Sequence, residues 1–414
     1  MTSLTSSVVY APHDRDQRLP VAALVVMALT GFIIIATETM PAGLLPQIAG
    51  GLQISEGIAG QFVSAYALGT VLAAIPAITY TRGMRRKPLL IIGILGFLVA
   101  NTLTALAPGL VVALIARFMA GAFSGLLWGM LAGYARRIVA PEHAGRALAI
   151  AMTGTPIALA FGTPLGSWLG TLFGWRWSFG AMSVLSIVAV ILVLTFVPDA
   201  PGQAAASRLP LRQIFRVPGV SIILLVVFTW MLAHNIQYTY ISTYLDSGGT
   251  DLSVEIALLA FGVAALAGIW MTGLIIDRNL LALVIASIIL FIIAGGLFVV
   301  GAHVLPAVLV SIVLWGFAFG GAATQLQTAM GEAAGENADV ANSVLTVAFN
   351  LAIFAAGVTG AVLIESVNAT ALPAVMIVLA AIALLAVILG GSMTFRRSPE
   401  PYSEWTAKSS RQKS

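Results

Sequence analysis

Two formal charges lie well inside long apolar runs of this chain, Glu38 in the first run and Arg117 in the fourth. A charge in hydrocarbon costs several kcal/mol, so a chain that keeps one uses it or hides it. The two residue types divide the chemistry between them. Burial and a nearby cation pull a carboxyl's proton affinity in opposite directions, and the balance lets such a group load and release a proton near neutral pH. Arginine stays protonated under nearly all conditions, so Arg117 cannot carry the proton. It can tune Glu38 or bond backbone carbonyls of the first run. Two readings of Glu38 stand open: a proton site, or a carboxyl held permanently by Arg117 or by the backbone beside Pro41.

A second polar cluster sits in the seventh run: His234, Asn235, Gln237, Tyr238 and Tyr240. Apolar residues would suffice there if the face met lipid, so the cluster is expected to line a cavity. His234 titrates near neutrality and either shares a proton relay or acts as a neutral hydrogen-bonding group. Tyr66, Trp128, Trp230, Trp315, Gln325, Gln327 and Asn350 add aromatic and amide surface to the same cavity, or serve as the interfacial anchors that Trp and Tyr commonly are. Other chemistries lack their residues. The chain has no cysteine, its 4 histidines are scattered at His13, His143, His234 and His303, and no phosphate-binding loop motif occurs. Metal sites, thiol nucleophiles and nucleotide-driven work are therefore not expected, and no cofactor is implied.

These residues must be positioned by helices. Of the 414 residues 59% are hydrophobic and only 9% charged, far from the soluble norm of about 45–50% apolar and about 25% charged. The apolar runs are continuous and about 20 residues long, which fits membrane-crossing helices and excludes barrel strands. The sequence predicts an all-α membrane protein with spans at 20–45, 57–80, 88–107, 109–133, 143–172, 176–197, 218–244, 254–276, 280–301, 305–330, 340–364 and 370–394. A tail, 1–19, precedes a six-helix bundle, 20–197. A linker, 198–217, leads to a second bundle, 218–394, and a tail, 395–414. Of the 20 Lys and Arg, all but Arg117 in its span and Arg176 on the other face fall on the side of the termini. That asymmetry predicts a multi-pass protein of the inner (cytoplasmic) membrane with both termini cytoplasmic. It accounts for the net charge of +4 through topology and lipid contact, so no nucleic acid is expected.

A shift of 196 residues lays Arg82 on Arg278 and also lays Glu38 on His234. One register thus relates two unusual intramembrane residues, as two parallel halves around a midplane site would. Span one reads Thr37-Glu38-x-x-Pro41-x-Gly43-Leu44-Leu45-Pro46. Span four carries Arg117-x-x-x-Gly121, and span five carries Gly154 followed by Gly162-Thr163-Pro164-Leu165-Gly166. With Gly174-Trp175-Arg176, His234 and Asn350 in order, the chain resembles the major facilitator superfamily. Within it the resemblance is to the twelve-span drug/proton antiporter branch and its arabinose-efflux-like permeases.

The resemblance implies two pseudo-symmetric six-helix bundles and proton-coupled efflux of a drug, sugar or purine nucleoside. The partners would be protons, a small-molecule substrate and membrane lipid, around a monomer powered by the proton gradient. It also implies a latch between the halves at the loop carrying Arg82, Arg85 and Arg86. Here Thr81 and Met84 replace that motif's usual Asp and Gly, and Asp277-Arg278 keeps the acid in the second half. Gly162, Pro164 and Gly166 are expected to bend and smooth span five so that the halves can rock. A proton symporter importing a sugar or metabolite is the competing reading. A non-transporting sensor would need a signalling domain, which the short connections do not supply.

Overall fold

The computed structural model describes residues 19–81, 83–202, 217, 219–335 and 338–394. Arg82, both terminal tails and most of the 198–217 linker therefore lie outside the described residues. Among the described residues, twelve helices are long and apolar enough to cross a membrane: Val21–Gly43, Glu56–Ala74, Arg86–Ala105, Leu110–Arg137, Pro141–Phe173, Trp175–Phe196, Val220–Thr239, Val254–Ile275, Leu280–Val300, Leu305–Ala334, Val344–Ser366 and Ala369–Gly390. They are numbered span 1 to span 12. No strand occurs among the described residues.

Helices overrun the apolar windows where nothing stops them. Span 4 continues past the expected 133 to Arg137, with Arg136 and Arg137 in its last turn, where cations suit the negative end of a helix dipole. Span 7 is shorter than expected. It ends at Thr239, and a separate helix, Ile241–Gly248, turns away from it.

Span 1 breaks where its sequence requires it. The α-helix stops at Thr39 and a 3-10 turn, Met40–Gly43, follows with Pro41 at its start. Proline has no N–H to give to the carbonyl four residues back. That carbonyl belongs to Thr37, and its freedom decides what happens at the site.

Span 5 holds a π-helical turn, Ala158–Gly162, between two α-helical pieces. Its glycine row faces span 1 of the same half. A methyl on Gly154 would strike the Ala28 carbonyl, one on Gly162 the Phe32 ring, and one on Gly166 the Met40 thioether. Gly162 and Gly166 are thus packing residues within one half, and Pro164 opens the helix after the π-turn. The close approach between halves is made instead by the opposite side of the π-turn, where a methyl on Gly262 of span 8 would strike Ala160.

The two ends of the molecule differ. At the end bearing Arg85, Arg86 and Lys87, four consecutive residues after span 6 are strapped onto the first half. The Tyr134 hydroxyl donates to Pro198 O (2.8 Å), Arg85 pairs with Asp199, the Arg86 amide donates to Ala200 O (2.9 Å) and Arg137 donates to Pro201 O (2.8 Å). Asp199 supplies the acid that Thr81 lacks. Arg85 thus ties its loop to its own half, while Asp277 and Arg278 lie exposed at the end of span 8.

Burial alone would make the Asp199 carboxyl hold its proton more tightly. The Lys87 amide, the Arg85 side chain and the Ala200 amide outweigh it and hold the group below the usual carboxylate range. A depressed value means that the clasp is complete above the ordinary carboxyl range and is lost as pH falls through the lower, folded-state value. Asp199→Ala is expected to speed hydrogen exchange at the Lys87 and Ala200 amides roughly tenfold at neutral pH. Unchanged protection in exchange mass spectrometry would rule the clasp out.

At the opposite, distal end the apolar core runs without interruption from the second half into Met40, Leu44, Phe62, Trp175 and Phe179 of the first. A separate core fills the interior of spans 1 to 6 toward the basic end.

Candidate functional site

Arg117 is wholly buried (0% exposed) and forks onto backbone. Nη1 donates to Thr37 O (2.7 Å), Nε to Phe62 O (3.0 Å) and Nη2 to Glu38 O (3.4 Å). The carbonyl left over by Pro41 is therefore the one the guanidinium takes. The cation also lies over the Tyr66 ring, 4.8 Å from its centroid, and near Phe179 at 5.5 Å. Tyr66 is not a cavity wall: it is fully buried beneath Arg117, with its hydroxyl donating to Ile34 O (3.2 Å).

The permanent Glu38–Arg117 ion pair is not formed. Among the described residues the Glu38 carboxylate makes no salt bridge, and the arginine's hydrogen bonds go to carbonyls. Glu38 is half-buried, within electrostatic reach of Arg117 on one side and of Tyr238 from the other half. Its side chain faces the seam between the halves, with its charge uncommitted. Beside it Thr39 Oγ1 donates to Ile35 O (2.8 Å) and meets Thr163 Oγ1 at 2.6 Å.

Across the seam, His234 (7% exposed) sits in an aromatic box. It stacks on Phe319 at 3.5 Å, with Trp315, Phe261 and Tyr238 rings within 5.7 Å. Trp315 Nε1 donates to His234 Nδ1 (3.1 Å). Indole is a donor only, so Nδ1 must present a lone pair, and the ring is the neutral tautomer with its proton on Nε2. Trp315 is thus a support for His234 within the second half.

The remaining residues separate into three groups. Asn235 and Asn350 are half-buried and donate to carbonyls of their own helices, Met231 O (2.8 Å) and Thr346 O (3.0 Å). Each keeps an amide oxygen to offer. Gln237 is wholly buried (0% exposed) with both amide atoms unpartnered. Such a group costs about 1–3 kcal/mol until something satisfies it. Gln325 is a brace within the second half, donating to Thr272 and Ser287 (both 3.1 Å), and Trp128 packs half-buried at the edge of the first-half core.

Tyr240 is the largest departure from expectation. It belongs to the distal seal and not to a cavity wall. Its hydroxyl lies near Gly57 O (3.3 Å) and Gly357 O (2.6 Å), so it ties the junction after span 7 to spans 2 and 11. Only glycine fits around it: a methyl on Gly60 would overlap the Tyr240 hydroxyl and one on Gly360 its ring.

Further bonds across the halves gather at this end. Ser242 donates to Ala42 O (3.3 Å), Ser55 to Glu365 (2.7 Å), Thr171 to Glu255 (2.7 Å) and Thr243 to Glu56. Gln61 and Ser64 of span 2 donate to Gly357 O and Phe354 O of span 11, both at 3.1 Å. The sequence carried a signal for this seal in Gly57/Gly60 and Gly357/Gly360, paired at helical spacing on facing spans.

Residues 27–357 match the Major Facilitator Superfamily. The chain belongs to that superfamily. A chloramphenicol efflux pump of Mycobacterium tuberculosis (strain H37Rv) is 28% identical to this facilitator over 382 residues, covering 88% of this chain and 89% of that one. Two solved structures share its architecture. The human organic anion transporter MFSD10 (TETRAN) superposes with a TM-score of 0.66 at 17% identity, over 89% of this chain and 98% of that one. A D-xylose-proton symporter superposes with a TM-score of 0.71 at 14% identity, over 92% and 97%. These two speak to the fold alone. The facilitator is accordingly a multi-pass membrane transporter with the superfamily's twelve-helix architecture.

Proposed function

We propose that the chain is a proton-driven exporter of a small organic solute, working by alternating access across the inner membrane. The reading places the basic end and both termini in the cytoplasm. The observation that carries it is Glu38, half-buried on the broken first span with a carboxylate that makes no salt bridge among the described residues. Arg117 sets the local potential but is spent on backbone carbonyls, so Glu38 stays free to gain and lose a proton. Coupling then follows from differential binding: a seam that accepts the proton or the cargo, but not both together, turns a proton gradient into outward transport.

His234, held neutral by Trp315, acts as a polar wall of the path. Gln237, Asn235 and Asn350 offer amide groups to a cargo, which suits neutral or cationic solutes with hydrogen-bonding groups. The relative named for chloramphenicol efflux supports export and places amide-bearing aromatic drugs first in the panel, with sugars and nucleosides after them. The distal seal is closed, so in the conformation described cargo has no passage through that end. Each chain holds a complete site and acts as a monomer, and the proton gradient is its energy source.

The test is substrate-triggered proton release in everted vesicles over that panel, with Glu38→Gln alongside. The wild type is expected to release protons on substrate addition and Glu38→Gln to show none. Equal release from both would move the proton site elsewhere. Co-entry of proton and substrate would make the chain a symporter.

A further inference from the structure

One ring in the aromatic box around His234 is packed differently from the rest. Phe319 of span 10 lies flat on the imidazole, with 3.5 Å between centroids and 6° between planes. Aromatic pairs prefer an offset or edge-to-face meeting, because a face-to-face sandwich sets one negative face against another. Trp230 follows that preference, meeting Phe291 and Phe319 edge-on at 6.2 Å and 6.0 Å. Phe319 is also half-buried, whereas Trp230, Trp315, Phe261 and Phe291 are buried. The least favourable stack in the box is thus made by the ring with room to leave it.

Three polar groups flank this stack on one side of span 7, where residues three and four apart share a helix face. Trp315 takes the Nδ1 lone pair of His234, and the Nε2 proton has no acceptor among the described residues. Trp230 Nε1, one turn toward the basic end, is buried without a partner. Gln237, one turn toward the distal end, is buried with its amide nitrogen and oxygen both unpartnered. A carboxamide is donor and acceptor at once, so another amide satisfies both atoms together. Residues 230 and 237 lie about 10 Å apart along the helix, the length of an aryl amide with an acceptor group at its far end.

We infer that this box is the cargo's subsite in the second half, and that its ligand is an electron-poor aryl amide whose ring takes the place of Phe319 on His234. The inference rests on the reading that the chain carries an organic solute, and it names the class of that solute. An electron-withdrawing substituent such as nitro reverses the quadrupole of a ring, so the face-to-face arrangement that suits Phe319 poorly becomes attractive. The ligand's amide pairs with Gln237, and its withdrawing group accepts from Trp230 Nε1. Phe319 stands in for the cargo ring and keeps the box filled until cargo arrives.

The test is equilibrium dialysis of the full chain in detergent against para-nitrobenzamide, benzamide, para-methoxybenzamide and methyl para-nitrobenzoate, with empty micelles as the blank. The nitro ring is expected to bind most tightly, the methoxy ring least, and the nitro amide ahead of its ester. Phe319→Leu is expected to tighten para-nitrobenzamide by about 2- to 10-fold, because the competing ring is gone. A ring that served only as a wall of the site would give the opposite sign. Gln237→Leu should erase the preference for amide over ester, and should melt no lower than the parent because only an unpartnered amide is lost. Three results each overturn the inference: unchanged or weaker binding in a folded Phe319→Leu, a ring order that ignores the substituent, or an amide preference that survives in Gln237→Leu. The ring order and the Gln237→Leu comparison decide the matter even where Phe319→Leu unfolds. Dialysis involves no proton movement, so this inference can fail while the Glu38→Gln vesicle test succeeds, and the reverse.

Discussion

Gly60→Val is expected to abolish transport while leaving the chain folded and inserted. The Tyr240 ring and hydroxyl occupy the space that a Cβ at Gly60 would take, and Gly360 closes the other side, so the tyrosine cannot retreat. Overpacking of this kind costs about 1–3 kcal/mol. It falls only on the conformation in which spans 2, 7 and 11 meet, and shifts the balance against that conformation by roughly 5- to 150-fold. The chain lacks cysteine, so a single Ser242→Cys reports on the seal without background. That position is 3% exposed, and it should resist a membrane-impermeant maleimide in the parent and react in Gly60→Val. Normal transport and continued protection would show that the seal does not depend on the glycine.

Arg117→Met is expected to have the second large effect, and on stability. Removing the guanidinium leaves the carbonyls of Thr37 and Phe62 without their present donor and strips the cation from the Tyr66 face. Phe62 O keeps the Tyr66 amide of its own helix, but Thr37 O, which Pro41 cannot serve, is orphaned at a cost of about 1–3 kcal/mol. Arg117→Lys should recover only part of it, because an ammonium cannot span the carbonyls that the planar fork reaches. Thermal unfolding in detergent, followed by tryptophan fluorescence, separates this from the Glu38→Gln effect. The glutamate variant should melt with the wild type and the methionine variant well below it. A methionine variant as stable as the parent would remove Arg117 from its place as a backbone staple.

The spans were legible because hydrocarbon imposes one requirement on every residue that faces it, and a run of such residues declares itself locally. Glu38 and Arg117 were legible for the converse reason, as departures from that requirement. Their relationship was not. Both the ion pair and the carbonyl staple were open readings, and the choice turned on Pro41 leaving the Thr37 carbonyl without its helical donor. Arg85–Asp199 joins residues 114 positions apart, and an aspartate after a span looks like any loop acid until the fold brings it under a basic loop. The role of Tyr240 is not legible in sequence, because an aromatic at a span end has the same composition whether it lines a path or closes one. The π-turn at Ala158–Gly162 left no mark in residue type; it is set by how span 5 must meet span 1 on one side and span 8 on the other.

The distal closure is fastened by hydroxyls that donate to carbonyls and to single carboxylates, with no cation opposite an anion in the contacts described above. Mobile ions weaken attractions between opposite charges but have little grip on a dipole aimed at close range. A barrier built this way holds equally in dilute and in saline surroundings. The tightness of this end against leakage is thereby made independent of the salt content of the medium around it.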